Sequence, residues 1–223
     1  MSGITEIAFA PLKKDIRLTD PSSNAYKSLT EKALRPIRAW KACQAIYWGV
    51  GVEDPDQLRL FVDWDSLEAH KAANKDPAYL PSVIPIASVC SGSHTVFHAR
   101  FQPHPPNVLA SAPVTEVMTS YFPIDYSAED QKQYDTGTRA FLGACQMIAG
   151  GPLSSSAGWV EEMLESEGGE MAKAYVALLG WESVEHHMAF RETQAFKELT
   201  GKMNRPKGLQ KMESVHIRVQ EFK

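Results

Sequence analysis

The sequence lacks most of the features that announce a function at sight. Its three cysteines, Cys43, Cys90 and Cys145, lie far apart with no C-x-x-C pair. An odd, dispersed set argues for reduced, packed thiols rather than a disulfide framework. No apolar run approaches the length of a bilayer crossing, and the N-terminal stretch Met1–Asp15 lacks a signal peptide's long apolar core. A cytoplasmic chain with no membrane partner is expected. The 23 Lys and Arg residues are scattered among 27 acidic ones, for a net charge of −4. Nucleic-acid phosphates demand a basic stripe, so nucleic acid is not an expected partner. Neither G-x-G-x-x-G nor G-x-x-x-x-G-K occurs. His186 and His187 are adjacent, so they point apart on a helix, and no H-x-x-x-H pair falls on a predicted helix. No metal site is therefore expected.

What the chain does have is an internal repeat. Trp64-Asp65-Ser66-Leu67-Glu68-Ala69-His70 recurs 117 residues later as Trp181-Glu182-Ser183-Val184-Glu185-His186-His187. His98-Ala99-Arg100-Phe101 recurs as His216-Ile217-Arg218-Val219, and Ile4-Thr5-Glu6-Ile7 as Val114-Thr115-Glu116-Val117. Three matches in the same order imply two copies of one unit: residues 1–102 and 114–223, joined by a proline-rich linker at 103–113.

Periodicity gives the elements of each copy. Residues 4–10 alternate as a strand, and residues 24–43 carry Tyr26, Leu29, Ala33, Ile37 and Trp40 at helical spacing, with Pro36 expected to kink that helix. Strands follow at 44–52 and 58–64. A helix opens at Asp65, expected to cap it with Glu68 reaching back, and a strand covers 95–101. The second copy repeats this with a strand at 114–121, a helix at 128–149, strands near 157–164 and 173–181, a helix at 183–199 and a strand at 213–220. The order β-α-β-β-α-β is the ferredoxin-like split unit, so the fold class is α+β: two ferredoxin-like repeats forming an intramolecular antiparallel α+β barrel. In that arrangement Leu58, Leu60, Val62 and Trp64, and likewise Tyr175, Ala177, Leu179 and Trp181, are expected on the sheet face that the helices leave bare.

The W-(D/E)-S-(L/V)-E-x-H helix start after an apolar strand resembles the dimeric α/β-barrel superfamily, in its antibiotic-biosynthesis-monooxygenase and stress-responsive branches. Ile46-Tyr47-Trp48-Gly49 and Asp76-Pro77-Ala78-Tyr79 also look like segments of a plant polyketide cyclase. The resemblance covers nearly the whole chain through short motifs, with one chain carrying both halves of the barrel and pairing of fused barrels into a homodimer left open. It implies cofactor-free oxygenation or cyclisation of an aromatic or polyketide-like small molecule in secondary metabolism. Haem degradation, or binding without catalysis, are alternatives that other members imply. The cyclase's catalytic tyrosine falls on Ala73 and Phe190 and its histidine on Tyr79 and Phe196, so neither copy keeps that pair.

Within this frame His187 and His70 are the candidate acid–base residues, His187 preferred for the polar Glu185, His186 and Arg191 around it. A partly buried histidine bonded to a carbonyl or water is the plain alternative. Tyr79 is a further catalytic candidate. Trp48, Trp64, Trp159 and Trp181 could stack on a ring-shaped substrate or simply fill the core. His98 and His216 could orient a substrate oxygen. Alternatively, Glu6 and Glu116 could pair with Arg100 and Arg218 across the strands. Tyr121 is a weaker substrate-binding candidate.

Overall fold

A computed structural model describes residues 3–166, 169–201 and 204–223. The chain divides into two compact units, residues 1–98 with 219–223, and residues 99–218. None of the described helices is long and apolar enough to cross a membrane.

The first unit runs β1 (Ile4–Pro11), a helical rod, β2 (Cys43–Gly51), β3 (Gln57–Trp64), α3 (Leu67–Lys75), α4 (Leu80–Val89) and β4 (Thr95–Ala99). The rod is α1 (Asn24–Lys27), a π-helical stretch Ser28–Leu34 and α2 (Arg35–Arg38). Pro36 sits in the first turn of α2. The wider π turn before it accommodates a residue that has no N–H to give. Ser23 caps the rod, its side chain accepting from Tyr26 N at 3.1 Å. The strand order is β4-β1-β3-β2, with Ile4 opposite Trp64 and Ala10 opposite Leu58. The returning C-terminus adds to this unit, where Phe222 N donates to Ile46 O at 2.8 Å.

The second unit runs α5 (Val108–Ser111), β5 (Val114–Phe122), α6 (Ala128–Gln146), β6 (Ser155–Trp159), β7 (Leu164–Glu165), β8 (Met171–Trp181), α7 (Val184–Glu192), α8 (Gln194–Gly201) and β9 (Lys211–Glu221). Its strand order β9-β5-β8-β6 reproduces that of the first unit, with β7 beside β8. The chain just before α5 adds to β6, as Gln102 N donates to Ala157 O at 2.9 Å. Gly158 permits this approach, for a Cβ there would lie 1.9 Å from Arg100 O. The fold class is thus the α+β duplicated ferredoxin-like arrangement.

Two local expectations need correction, and one element was not anticipated. Ser66, not Asp65, caps α3, accepting from Ala69 N at 3.1 Å; Asp65 instead accepts from Gln44 Nε2 at 2.6 Å. The unanticipated element is α4, a helix that follows Tyr79 despite carrying Pro81 and Pro85. The faces of the central strands are also reversed. Leu58, Leu60, Val62 and Trp64 pack with Leu29, Leu34, Ile37 and Leu67 of the helices, and Tyr175, Ala177, Leu179 and Trp181 with Tyr134, Leu142, Cys145 and Phe190. The opposite face carries Thr5, Ile7, Phe61 and Asp63, each fully buried. Both faces are apolar enough that alternation alone does not say which one the helices cover.

Candidate functional site

The repeated motifs converge on one polar cluster per unit. Strand β1 puts Glu6 on the helix-facing side, β3 ends there with Trp64, α3 brings His70 onto the indole, and β4 supplies His98. Trp64 Nε1 donates to Glu6 Oε2 at 3.0 Å. His70 stacks on Trp64 with ring centres 4.5 Å apart and planes 13° from parallel. His70 Nδ1 and His98 Nε2 lie 2.7 Å apart, and Asn74 Nδ2 lies 3.0 Å from His70 Nε2. His98 and Asn74 thus engage the two ring nitrogens of His70. Glu6 Oε2 stands 3.4 Å from His70 Nε2.

The second unit repeats the set. Trp181 Nε1 donates to Glu116 Oε2 at 3.1 Å, and Ser214 Oγ donates to Oε1 at 2.6 Å. His187 stacks on Trp181 at 4.4 Å, and its Nδ1 lies 2.8 Å from His216 Nε2. Burial holds His187 below the ordinary imidazole range; Glu116 opposes this and His216 and Arg191 reinforce it. His187 is accordingly neutral near pH 7. Arg100 bonds Glu161, Arg218 is exposed, and both glutamates are taken by tryptophan and set beside histidine.

In the first unit Glu6 of this cluster lines an apolar cavity of about 130 Å³. Ala8 and Ala10 of β1, Leu58 and Leu60 of β3, Leu34 and Ile37 of the helical rod, and Val83 and Ile86 of α4 form its walls. Its polar groups are Glu6, Tyr79, Cys90 and His94. Burial raises the Tyr79 phenol well above its ordinary range, and Glu6 and Cys43 add to this, so Tyr79 is a neutral hydrogen-bond donor rather than a base. In the second unit the pair matching Ala10–Leu58 is Ser120–Tyr175. Tyr175 packs edge-on against Tyr134 and Trp159, with ring centres 5.1 and 5.0 Å away. Tyr134 donates to Ser120 Oγ at 2.9 Å, which locks the aromatic filling in place.

Of the residues singled out from sequence, Tyr79 is on the cavity wall, and His70 and His98 stand behind Glu6. His187 and His216 form the second cluster. Trp48 is 2% exposed and packs edge-on against Tyr26 in the first core. Trp64 and Trp181 are buried as platforms for the histidines, not as cavity wall. Trp159 donates to Gln131 O at 3.2 Å within the second unit's aromatic cluster. Tyr121 donates to Glu213 at 3.2 Å, and burial, then that carboxylate, pushes its phenol up to about 12. Glu6 and Glu116 complete the two polar clusters, although neither stands in a recognisable catalytic motif. A glutamate alternating with apolar residues in a strand was the available signal.

Comparison with solved structures shows the fold. An anthrone oxidase-like protein matches 99% of this chain and 94% of its own, at 12% identity and a TM-score of 0.62. A provisionally assigned monooxygenase from Fusobacterium nucleatum matches the same shares at 10% identity and a TM-score of 0.61. A provisionally assigned chlorite dismutase matches 99% and 96% at 10% identity and a TM-score of 0.59. No protein-family model matches the chain, and no curated protein matches it in sequence. At 10–12% identity the likeness shows the fold alone, a duplicated ferredoxin-like α+β arrangement.

Proposed function

We propose that the protein is a cofactor-independent enzyme that works by acid–base chemistry on a small aromatic or polyketide-like molecule held in the first unit's cavity. The observation that carries this is a carboxylate set in a mostly apolar chamber and backed by a histidine pair. A chamber of about 130 Å³ suits one ring, since a dry cavity of roughly 150 Å³ binds benzene. A macrocycle such as haem would require α4 to move away.

Glu6 is the group placed to take a proton from a phenol or an activated carbon. Passing it on to His70 Nε2, 3.4 Å away, displaces the Asn74 amide, and His98 accepts the proton that His70 then releases from Nδ1. Tyr79 is placed to donate to the oxygen on which charge develops. The resulting anion either reacts with oxygen or closes on a carbonyl of the same molecule.

The test compares wild type with Glu6→Gln and with the double variant Ala10→Ser, Leu58→Tyr, which copies the second unit's own filling. Phenol, hydroquinone and heptane-2,6-dione, which can close on its own carbonyl to a six-membered ring, are assayed for thermal stabilisation, oxygen consumption and anaerobic turnover. Wild type should bind and turn over. Glu6→Gln should bind without turnover, and the filled variant should fold and do neither. Binding that survives filling refutes the site, and binding without turnover by wild type makes the protein a binder rather than an enzyme.

A further inference from the structure

The two polar clusters differ at one vertex. In the first, Asn74 occupies His70 Nε2 from one helical turn on. The matching residue in the second copy is Arg191, which is exposed, so no amide fills that place. His187 Nε2 instead faces Glu116 Oε2 across 3.6 Å, beyond hydrogen-bond reach. His187 Nδ1 is engaged by His216, which leaves Nε2 and the Glu116 carboxylate oxygen facing each other in a buried space. Such a gap favours a cation.

We propose that Glu116, His187 and His216 form a site for a divalent transition metal of the zinc type. One donor from each of the three lies within 4.8 Å of the others, and all three residues are buried. Zinc bonds nitrogen and oxygen at about 2.1 Å, so donors 3.6 Å apart subtend about 118° at an ion between them, close to tetrahedral. The third donor, His216 Nε2, exchanges its hydrogen bond with His187 Nδ1 for a metal bond. A tetrahedral edge is about 3.4 Å, so donors that lie within 4.8 Å of one another need to close in only slightly to reach it. The carboxylate is already oriented by Trp181 and Ser214, the outer support that metal ligands require. Two neutral imidazoles and one carboxylate leave a coordination position open. The three residues come from β5, α7 and β9, which is why spacing along the chain carries no sign of them.

The test is zinc binding by the full-length protein after chelator treatment, followed by calorimetry, with cobalt(II) as a visible probe of coordination number. One equivalent should bind, and cobalt should give the intense absorption of a four-coordinate ion. Glu116→Gln and His216→Ala should each weaken binding by about a hundredfold or more. Arg191→Asn, which leaves every ligand in place but supplies the first copy's amide, should weaken it by about tenfold. Circular dichroism checks that each variant is folded. No stoichiometric binding by wild type, or equal affinity in folded Glu116→Gln and Arg191→Asn, overturns the site. Neither result bears on the first unit's cavity, whose residues are untouched.

Discussion

Replacing Asp63 by asparagine isolates one buried carboxyl whose effect on stability can be worked out in advance. Asp63 is fully buried on the sheet face opposite the helices, where its Oδ1 accepts from Thr5 Oγ1 at 2.5 Å. Burial raises its titration from the ordinary 3.8 to about 6, against the opposing effect of that hydrogen bond. Because the folded value is the higher one, the native state binds the proton more tightly than the unfolded chain does. The stabilising contribution is therefore complete below about pH 4 and is lost as pH rises to about 6. The difference, at 1.36 kcal/mol per pH unit, amounts to about 3 kcal/mol. Asparagine keeps the acceptor for Thr5 and nearly the same volume, but does not titrate. Urea unfolding of both proteins from pH 4 to 7 measures the effect. The variant should gain stability relative to wild type as pH rises, by about 3 kcal/mol in all, and the gain should level off above pH 6. A constant difference across that range would refute the reasoning, because it would mean that Asp63 titrates alike in both states.

Trp64→Ala and Trp181→Ala should each cost about 3–5 kcal/mol in denaturant unfolding, since each removes a buried ring and an indole donor from a glutamate. A loss below about 1 kcal/mol would place the ring on a yielding wall instead. Gly158→Ala should lower the melting temperature and expose the amides of Arg100 and Gln102 to hydrogen exchange. Its methyl meets the Arg100 carbonyl, so the bonds to Trp159 O and Ala157 O must give, at a cost of about 1–3 kcal/mol.

Much of this architecture was legible in the sequence because the repeated motifs sit at structurally fixed points. The Trp-x-Ser-x-Glu-x-His run marks the end of a central strand and the start of a helix in both copies, and the strand order follows from it. Proline content hid α4, because Pro81 falls in the first turn, where no donor is needed, and Pro85 is tolerated inside. The covered face was misread because both faces alternate with apolar residues, and burial is a property of what packs on them. The histidines were visible as candidates. Their partners were not, because Glu6 and Glu116 meet them only through register across strands and helices, and a charge in a strand pairs as readily with arginine on paper. The cavity was invisible for a related reason: it exists through the smallness of Ala8 and Ala10, and small residues carry no motif.

The contrast between Ala10–Leu58 and Ser120–Tyr175 has a consequence for how such a protein changes over generations. Where two identical chains make up the pair, every substitution arrives twice, and hollowing one chamber hollows both. Duplication within a single reading frame removes that obligation. One half is free to stay densely filled and stiffen the molecule, while the other sacrifices packing for room.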